Sequence, residues 1–417
     1  MSLITFLTFL RENWLFLTAG VLLTFTSSYG QTFFISIFAG QIMGEYGLSH
    51  GQWGLLYTLA TTASAIAMIW AGALTDRFRI RTLNIVVALS LAAACLAMAA
   101  GQGVWMLALV IFVLRFAGQG MMSHLAIVAM ARWFVATRGR ALSVASMGFA
   151  IGQAILPVTF VALMAVIDWR WLWVLAAGLV VLSMPAVHRL LKAERTPQSV
   201  AETTSALGMG AQNWTRRAML HHWLFWAMIP LLLGPPAWGT ALFFHQVHMT
   251  DVKGWELVDF VALLPLYTAA SIAATFATGA LIDRFGTSRL MQFYMVPFSV
   301  AFFVLAQSDT LWGAAVAMMI FGIAIGAQAT VPSAFWAEYY GTRHLGAIKA
   351  LAAAVMVFGS AIGPGITAAF IDRGVDFPMQ MLAISAYFGF AAVITTLAIA
   401  RARTSLAVAP EIDVIRA

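Results

Sequence analysis

Charge is what this sequence has least of, with 23 basic and 16 acidic side chains in 417 residues, 9% where soluble proteins carry about 25%. The shortage runs the whole length of the chain, which excludes a soluble enzyme and equally a soluble domain on a single anchor. Cysteine is almost missing. The one thiol, Cys95, lies in an apolar run, so no disulfide can form within the chain, and the redox compartment cannot be read from it. Cysteine and histidine clusters with metal-ligand spacing are lacking, so no metal or cofactor is expected. The alternating apolar and polar segments of a transmembrane β-barrel are lacking too, since 85–100 and 382–400 are apolar on every face. Residues 1–10 have no leading basic group and no small-residue cleavage site, so no cleaved signal peptide is expected.

What is abundant is hydrophobic side chains, 62% of the chain, with a mean hydropathy of +0.89. A membrane helix needs about 20 apolar residues, and polar or turn-rich breaks divide the chain into twelve such runs. The first six cover about 14–38, 54–74, 83–100, 104–130, 142–165 and 171–188. The second six cover about 222–247, 258–281, 290–307, 311–335, 348–370 and 379–400. The expected fold is an all-α integral membrane protein in two six-helix bundles, 1–190 and 220–403, joined by a polar linker, 191–219, and followed by a tail, 404–417.

Placing the basic residues on alternate sides of these spans puts 19 of the 23 on the side of the linker and both termini. Three, Arg170, Lys253 and Arg373, fall on the opposite side, and Arg115 falls inside a span. By the positive-inside rule the termini and linker are cytoplasmic. The pI of 9.9 then reflects insertion topology, and no nucleic-acid partner is expected. The expected location is the plasma membrane, the inner membrane if the source is bacterial.

The two halves repeat. Gly72-Ala73-Leu74-Thr75-Asp76-Arg77-Phe78-Arg79 returns 207 residues later as Gly279-Ala280-Leu281-Ile282-Asp283-Arg284-Phe285-Gly286. The same offset carries Gly139 onto Gly346, Gly152 onto Gly359 and Pro157 onto Pro364. An even number of spans per half gives both halves one orientation, a parallel repeat about an axis along the membrane normal.

Two six-helix halves, each with a G-x-L-x-D-R loop after its second span, resemble the major facilitator superfamily of secondary transporters over about Asn13 to Ala402. Leu114 to Gly120 in the fourth span and Asp168-Trp169-Arg170-Trp171 before the sixth also look like family features. Arg138 to Ala141 and Tyr340 to Gly346 look most similar to the monocarboxylate and oxalate/formate branch. The resemblance implies cavity walls on spans 1, 4, 7 and 10, and a gating role for Gly72, Asp76, Arg77, Gly279, Asp283 and Arg284. Positive-inside anchoring alone accounts for the arginines of those loops but not for the repeated Asp and Gly. The helix-5 G-x-x-x-G-P signature of some drug exporters is only partly met, because Gln153 follows Gly152.

Repeat transporters bind substrate near the midplane, where breakers occupy corresponding positions of the halves. Ser27-Ser28-Tyr29-Gly30 maps onto Gly234-Pro235-Pro236-Ala237, and the prolines are expected to bend span 7 and loosen the carbonyls of Leu231 and Leu232. Arg115 lies ~16 Å from the outer end of its span at about 1.5 Å per residue. A charge there costs at least ~2.5 kcal/mol and normally faces a wet cavity or a partner. No acid is available at that depth, so an anionic substrate is the simplest counter-charge. The alternative is a structural arginine satisfied by backbone carbonyls and by Gln119, one turn along. Tyr29, Gln31, Trp238, Tyr267 and Gln328 complete the candidate cavity, although such polar residues equally glue helices together. His124, ~13 Å toward the cytoplasm, is a candidate for proton coupling or an ordinary interhelical hydrogen-bonder. His245 and His248 are expected at the membrane interface.

The leading reading is a secondary transporter that moves a small, monocarboxylate-like organic anion by alternating access. Its partners would be the small-molecule substrate, the bilayer and a proton or other co-transported ion, and the chain is expected to act as a monomer. The alternative is a proton-coupled exporter of drug-like or amphiphilic metabolites. An enzyme is not expected, because Gly47-Leu48-Ser49-His50-Gly51, which fits a nucleophile elbow, joins two spans without the required strand.

Overall fold

The computed structural model describes residues 3–72, 74–134, 138–191, 207–341 and 343–406. Most of the expected linker and the tail beyond 406 lie outside the described residues. Among those residues, eleven helices are long and apolar enough to cross a membrane, and one bent pair makes a twelfth pass.

In the first half these are α1 (Leu3–Thr26), α2 (His50–Ala71), α3 (Ile80–Ala100), α4 (Val104–Met130), α5 (Arg138–Met164) and α6 (Trp169–Leu190). In the second half the spans contain α7 (Ile229–Phe244), α8 (Leu264–Phe285), α9 (Val296–Gln307), α10 (Leu311–Tyr340), α11 (Leu345–Ile371) and α12 (Phe377–Ala402), with short helical segments before α7, α8 and α9 completing those three. Counting passes puts the linker and both ends of the described chain on one face, here the linker face, with the loops after α1 and α11 on the far face.

The repeat seen in the sequence is also a repeat of packing. In the first half α1 lies on α5, α3 on α6 and α2 on α4; in the second, α7 lies on α11, α9 on α12 and α8 on α10. The halves meet where α2 packs on α11 and α5 on α8. Large apolar side chains such as Ile69, Leu182, Phe276 and Leu397 point outward, as a lipid-facing belt requires and a soluble surface does not tolerate at that extent. Trp105 and Trp312, one repeat apart near the far-face starts of α4 and α10, are 90% and 84% exposed. They sit where amphipathic rings anchor a helix at the membrane–water boundary.

Local chemistry sets the helix ends. Gly47 turns the chain at φ 60°, and Ser49 and Gln52 then form a reciprocal capping box at the start of α2, worth ~1 kcal/mol. The Gly47 to Gly51 segment is thus a turn and cap. Asp168 caps α6 by accepting from the Arg170 amide, and Thr310 caps α10 through the Gly313 amide. The described end of the linker is docked on the second half, with the Trp214 amide donating to the Tyr340 carbonyl at 3.2 Å.

Three elements differ from the sequence expectation. The first span is not one helix over 14–38 but two limbs, 8–30 and 32–46, bent by 48°. The fourth contains a π-helical stretch, Leu114–Met122. The seventh runs uninterrupted through Pro235 and Pro236, and its break falls earlier, at Met228. The reason lies in α11: a Cβ on Gly363 would stand 2.1 Å from the Ala237 carbonyl oxygen. Helix–helix contact that close packs the proline turn of α7 against α11 and keeps its helix continuous there.

Candidate functional site

The breaks in α1 and α4 face each other. Ser27–Gly30 forms a 3-10 turn, and Gln31 is extended at φ −87°, ψ 152° before helix resumes at Thr32. Against this turn lies the π stretch of α4, whose wider coil presents Gly118 to Gly30. A Cβ on Gly30 would lie 2.1 Å from the Leu114 carbonyl oxygen and 2.7 Å from the Gly118 Cα, so only glycine allows this approach. The extended residue interrupts the helical ladder and leaves the Gly30 carbonyl available.

Arg115 uses it. Its Nη1 donates to the Gly30 carbonyl and to the Thr32 hydroxyl, each at 3.2 Å. The guanidinium carbon sits 5.3 Å from the ring centroid of Tyr57 on α2, and the Tyr57 hydroxyl bonds that of Thr32 at 2.7 Å. Arg115 is only 1% exposed. Its Nε and Nη2 are buried without a hydrogen-bond partner, and among the described residues no carboxylate pairs with it. A hydrogen bond to a charged group is worth about 1.5–3 kcal/mol. Two open donors on one fork therefore amount to an unmet demand for an acceptor with two oxygens.

The remaining sequence candidates scatter. Gln119 shares the π stretch and is half-buried, and Gln31 is the extended residue itself. Tyr29 turns into the packing of its own half, edge-on to Phe25 and Phe34 at 6.5 and 5.2 Å. Trp238 faces α12, with its ring 5.7 Å from Tyr387. Tyr267 stacks on Phe321 at 5.7 Å, and its hydroxyl meets the Gln153 side chain of α5, so it lies where the halves touch. Gln328 lines a cavity of about 200 Å³ on the linker-face side of the second half. Thr32 and Tyr57, which hold Arg115, carry no mark in the sequence; the only signal near them is the Ser-Ser-Tyr-Gly breaker.

His124 Nε2 lies 3.3 Å from the Gly72 carbonyl oxygen at the end of α2. The expected coupling residue thus touches the first residue of the expected gate loop. The side chains of Asp76, Arg77 and Asp283 lie outside the described residues. Gly279 has open space around it, and Arg284 lies over the Phe285 ring at 5.2 Å.

Contacts across the halves gather toward the far face. Trp53 stacks on Phe244 at 5.6 Å, and Tyr57 meets the same ring at 4.7 Å, forming an aromatic plug directly over Arg115. Ser36 Oγ donates to the Phe243 carbonyl at 2.6 Å, and Gln246 Nε2 to Ser36 Oγ at 2.9 Å. At the rim Ser49 Oγ donates to Asp372 Oδ2 at 2.6 Å. The rings of His50 and His248 lie 4.6 Å apart, and His248 Nε2 is 3.3 Å from Asp376 Oδ1. Burial raises the Asp372 carboxyl, but the Ser49 hydroxyl, the Gly51 amide and His50 outweigh it and hold the group below its ordinary value. His245, just past the far-face end of α7, is buried within the protein, with Nε2 2.8 Å from Thr367 Oγ1 of α11.

The family model of the Major Facilitator Superfamily matches residues 20–364 and 260–411. Among solved structures, a bacterial homologue of the human lysosomal transporter Spinster, inward-facing and unoccupied, is similar at a TM-score of 0.68 and 16% identity, covering 94% of this chain and 98% of its own. An inward-facing, occupied form gives 0.65 and 16%, covering 95% and 98%. A mutant of the nucleoside transporter NupG gives 0.66 at 12% identity, covering 93% and 99%. None of the curated proteins compared with the sequence matches it. At these identities the structural likeness is one of fold.

Proposed function

The chain belongs to the Major Facilitator Superfamily and is a transporter, and we propose that its cargo is a small organic anion of the monocarboxylate type, held by Arg115 and moved by alternating access. The observation that carries this reading is the buried guanidinium with two unpaired donors and no carboxylate beside it. A planar fork fits the two oxygens of a carboxylate, and occupancy would neutralise the charge while filling both open positions. A nucleoside, the cargo named for one of the similar structures, carries no charge that calls for such a guanidinium.

In this reading the linker face is cytoplasmic, following the bias of basic residues toward it. The far-face plug and rim then close the outer side, and the membrane is the plasma membrane. The Gly72-Asp76-Arg77 and Gly279-Asp283-Arg284 loops form the gate of the cytoplasmic side. A carboxylate among basic groups there pairs with neighbouring helix ends in one conformation and releases them in the other. With no acid at the depth of Arg115, proton coupling runs through His124 or through protonation of the cargo.

Matched acid and amide ligands test the proposal in detergent. Arg115→Ala is expected to weaken acid binding by roughly tenfold or more, as loss of a charge-assisted bond implies. Arg115→Lys should also weaken it, because the charge stays but the fork is lost. Amides should bind poorly to the unaltered protein and lose little in the variant. Acid binding of undiminished affinity by folded Arg115→Ala would overturn the proposal in favour of an exporter of neutral or cationic amphiphiles.

A further inference from the structure

Lys349 counts in the sequence as one more basic residue of the linker face. The structure places it inside α11, in the second turn of Leu345–Ile371. A cation is disfavoured near a helix N-terminus by about 0.3–1 kcal/mol, so helix stability does not explain it. The side chain is half-buried, and Nζ donates to Ser333 Oγ of α10 at 2.5 Å.

Both groups line the cavity of about 200 Å³ that holds Gln328. Its other polar contribution is Tyr294, whose hydroxyl is buried and has no hydrogen-bond partner among the described residues. Pro332, also in the wall and inside α10, has no N–H to give, which leaves the carbonyl four residues back, that of Gln328, without its helical donor. Much of the remaining lining is apolar, with Leu231, Trp336 and Met356 among it. A cation, a hydroxyl with no partner and an apolar wall around one small space describe a receptor for an anionic head on an apolar body. The space is below the 300–1,000 Å³ of drug-sized pockets, so the occupant is small.

We propose that this cavity is a second ligand station, taking a small carboxylate with an apolar body whose carboxylate is held by Lys349 and Tyr294. The proposal rests on the anion reading for the identity of the ligand, while the station itself is built without Arg115. It places one cationic station in each half, Arg115 in the first and Lys349, nearer the linker face, in the second.

The test places a cysteine at Ala353, an exposed residue of the cavity wall, in the full chain with Cys95→Ala. Maleimide alkylation of purified protein is timed with sodium benzoate or benzamide as probes. Benzoate well above its dissociation constant is expected to slow alkylation by roughly fivefold or more, and benzamide much less. Lys349→Gln should abolish the protection, whereas Arg115→Ala should leave it in place. Equal effects of benzoate and benzamide, or full protection in Lys349→Gln, would overturn the second station. Protection lost in Arg115→Ala as well would also overturn it, by assigning the effect to the Arg115 site, and would leave the anion reading standing. Should Lys349→Gln fail to fold, Tyr294→Phe with Ser333→Ala reads the same contrast, with Ala329→Cys as the alternative reporter.

Discussion

Gly30 is as necessary to the Arg115 site as the arginine, because its missing side chain lets the turn of α1 touch the π stretch of α4. In Gly30→Ala the new Cβ meets backbone atoms at 2.1 and 2.7 Å, and backbone does not rotate away. The expected cost is that of overpacking, about 1–3 kcal/mol, together with loss of acid binding as the Gly30 carbonyl moves from Arg115. Thermal unfolding in detergent and a binding titration check both, and an alanine variant of unchanged stability would remove glycine's role. Arg115 was legible in the sequence because a lone charge in an apolar run is costly and therefore purposeful. Thr32 and Tyr57 were not, since neither residue type is unusual in a membrane helix and their meeting depends on the bend between them. Trp238 shows the same limit: its place on a cavity-lining helix was readable, but the face it shows, toward Tyr387, is set by tertiary packing.

The twelve passes were legible as elements because each is a long apolar run, but their irregularities were not. Proline marked α7 as the interrupted helix, yet it continues through Pro235 and Pro236 where Gly363 packs on it. The π stretch has no local signature, since Leu114 to Met122 reads as ordinary helix, yet π-bulges often mark functional sites. The gate loops belong to the same level. With Asp76 and Asp283 as gate residues, Asp76→Asn and Asp283→Asn are each expected to slow transport in proteoliposomes by roughly tenfold, a coupling of about 1–3 kcal/mol. Ligand binding in detergent should stay near that of the parent. Normal turnover in both variants would reduce the loops to topogenic signals. The bond between His124 and Gly72 joins α4, which carries Arg115, to the first gate loop, so a shift of α4 on binding has a direct path to it.

As a whole molecule, the protein is two bundles whose far-face seam contains titratable groups. The two-bundle plan could be read from the 207-residue repeat, but the closed far face could not, since its rim joins residues as distant as Ser49 and Asp372. At that rim burial lowers the His248 imidazole from its ordinary 6.5, and His50 adds to this against Asp376 and Asp251. On opening, His248 regains its ordinary proton affinity, so the open form binds more protons below pH 6.5. Its contribution to closure is full above that pH and is lost as pH falls toward the lowered value. Asp372 is also lowered, from an ordinary 3.8, and acts with the same sign in a more acidic window. Spin labels on Gly44→Cys and Asp309→Cys, both exposed, should report more of the open far face as pH drops from about 7.5 to about 5.5. His248→Gln should flatten that response. A distance distribution indifferent to pH would show that the histidines do not bias the seam.

A lone guanidinium at mid-depth is also a charge in an electric field. One elementary charge crossing the full membrane potential is worth about 2.3 kcal/mol per 100 mV. With Arg115 unpaired, the empty carrier is pulled by an inside-negative potential toward the form whose site opens to the cytoplasm. Loaded with a monoanion, the site is neutral and feels no such pull. On the anion proposal, a polarised cell would therefore park the carrier where it loads from within, and its voltage would favour expelling the anion unless a co-transported cation offsets the charge.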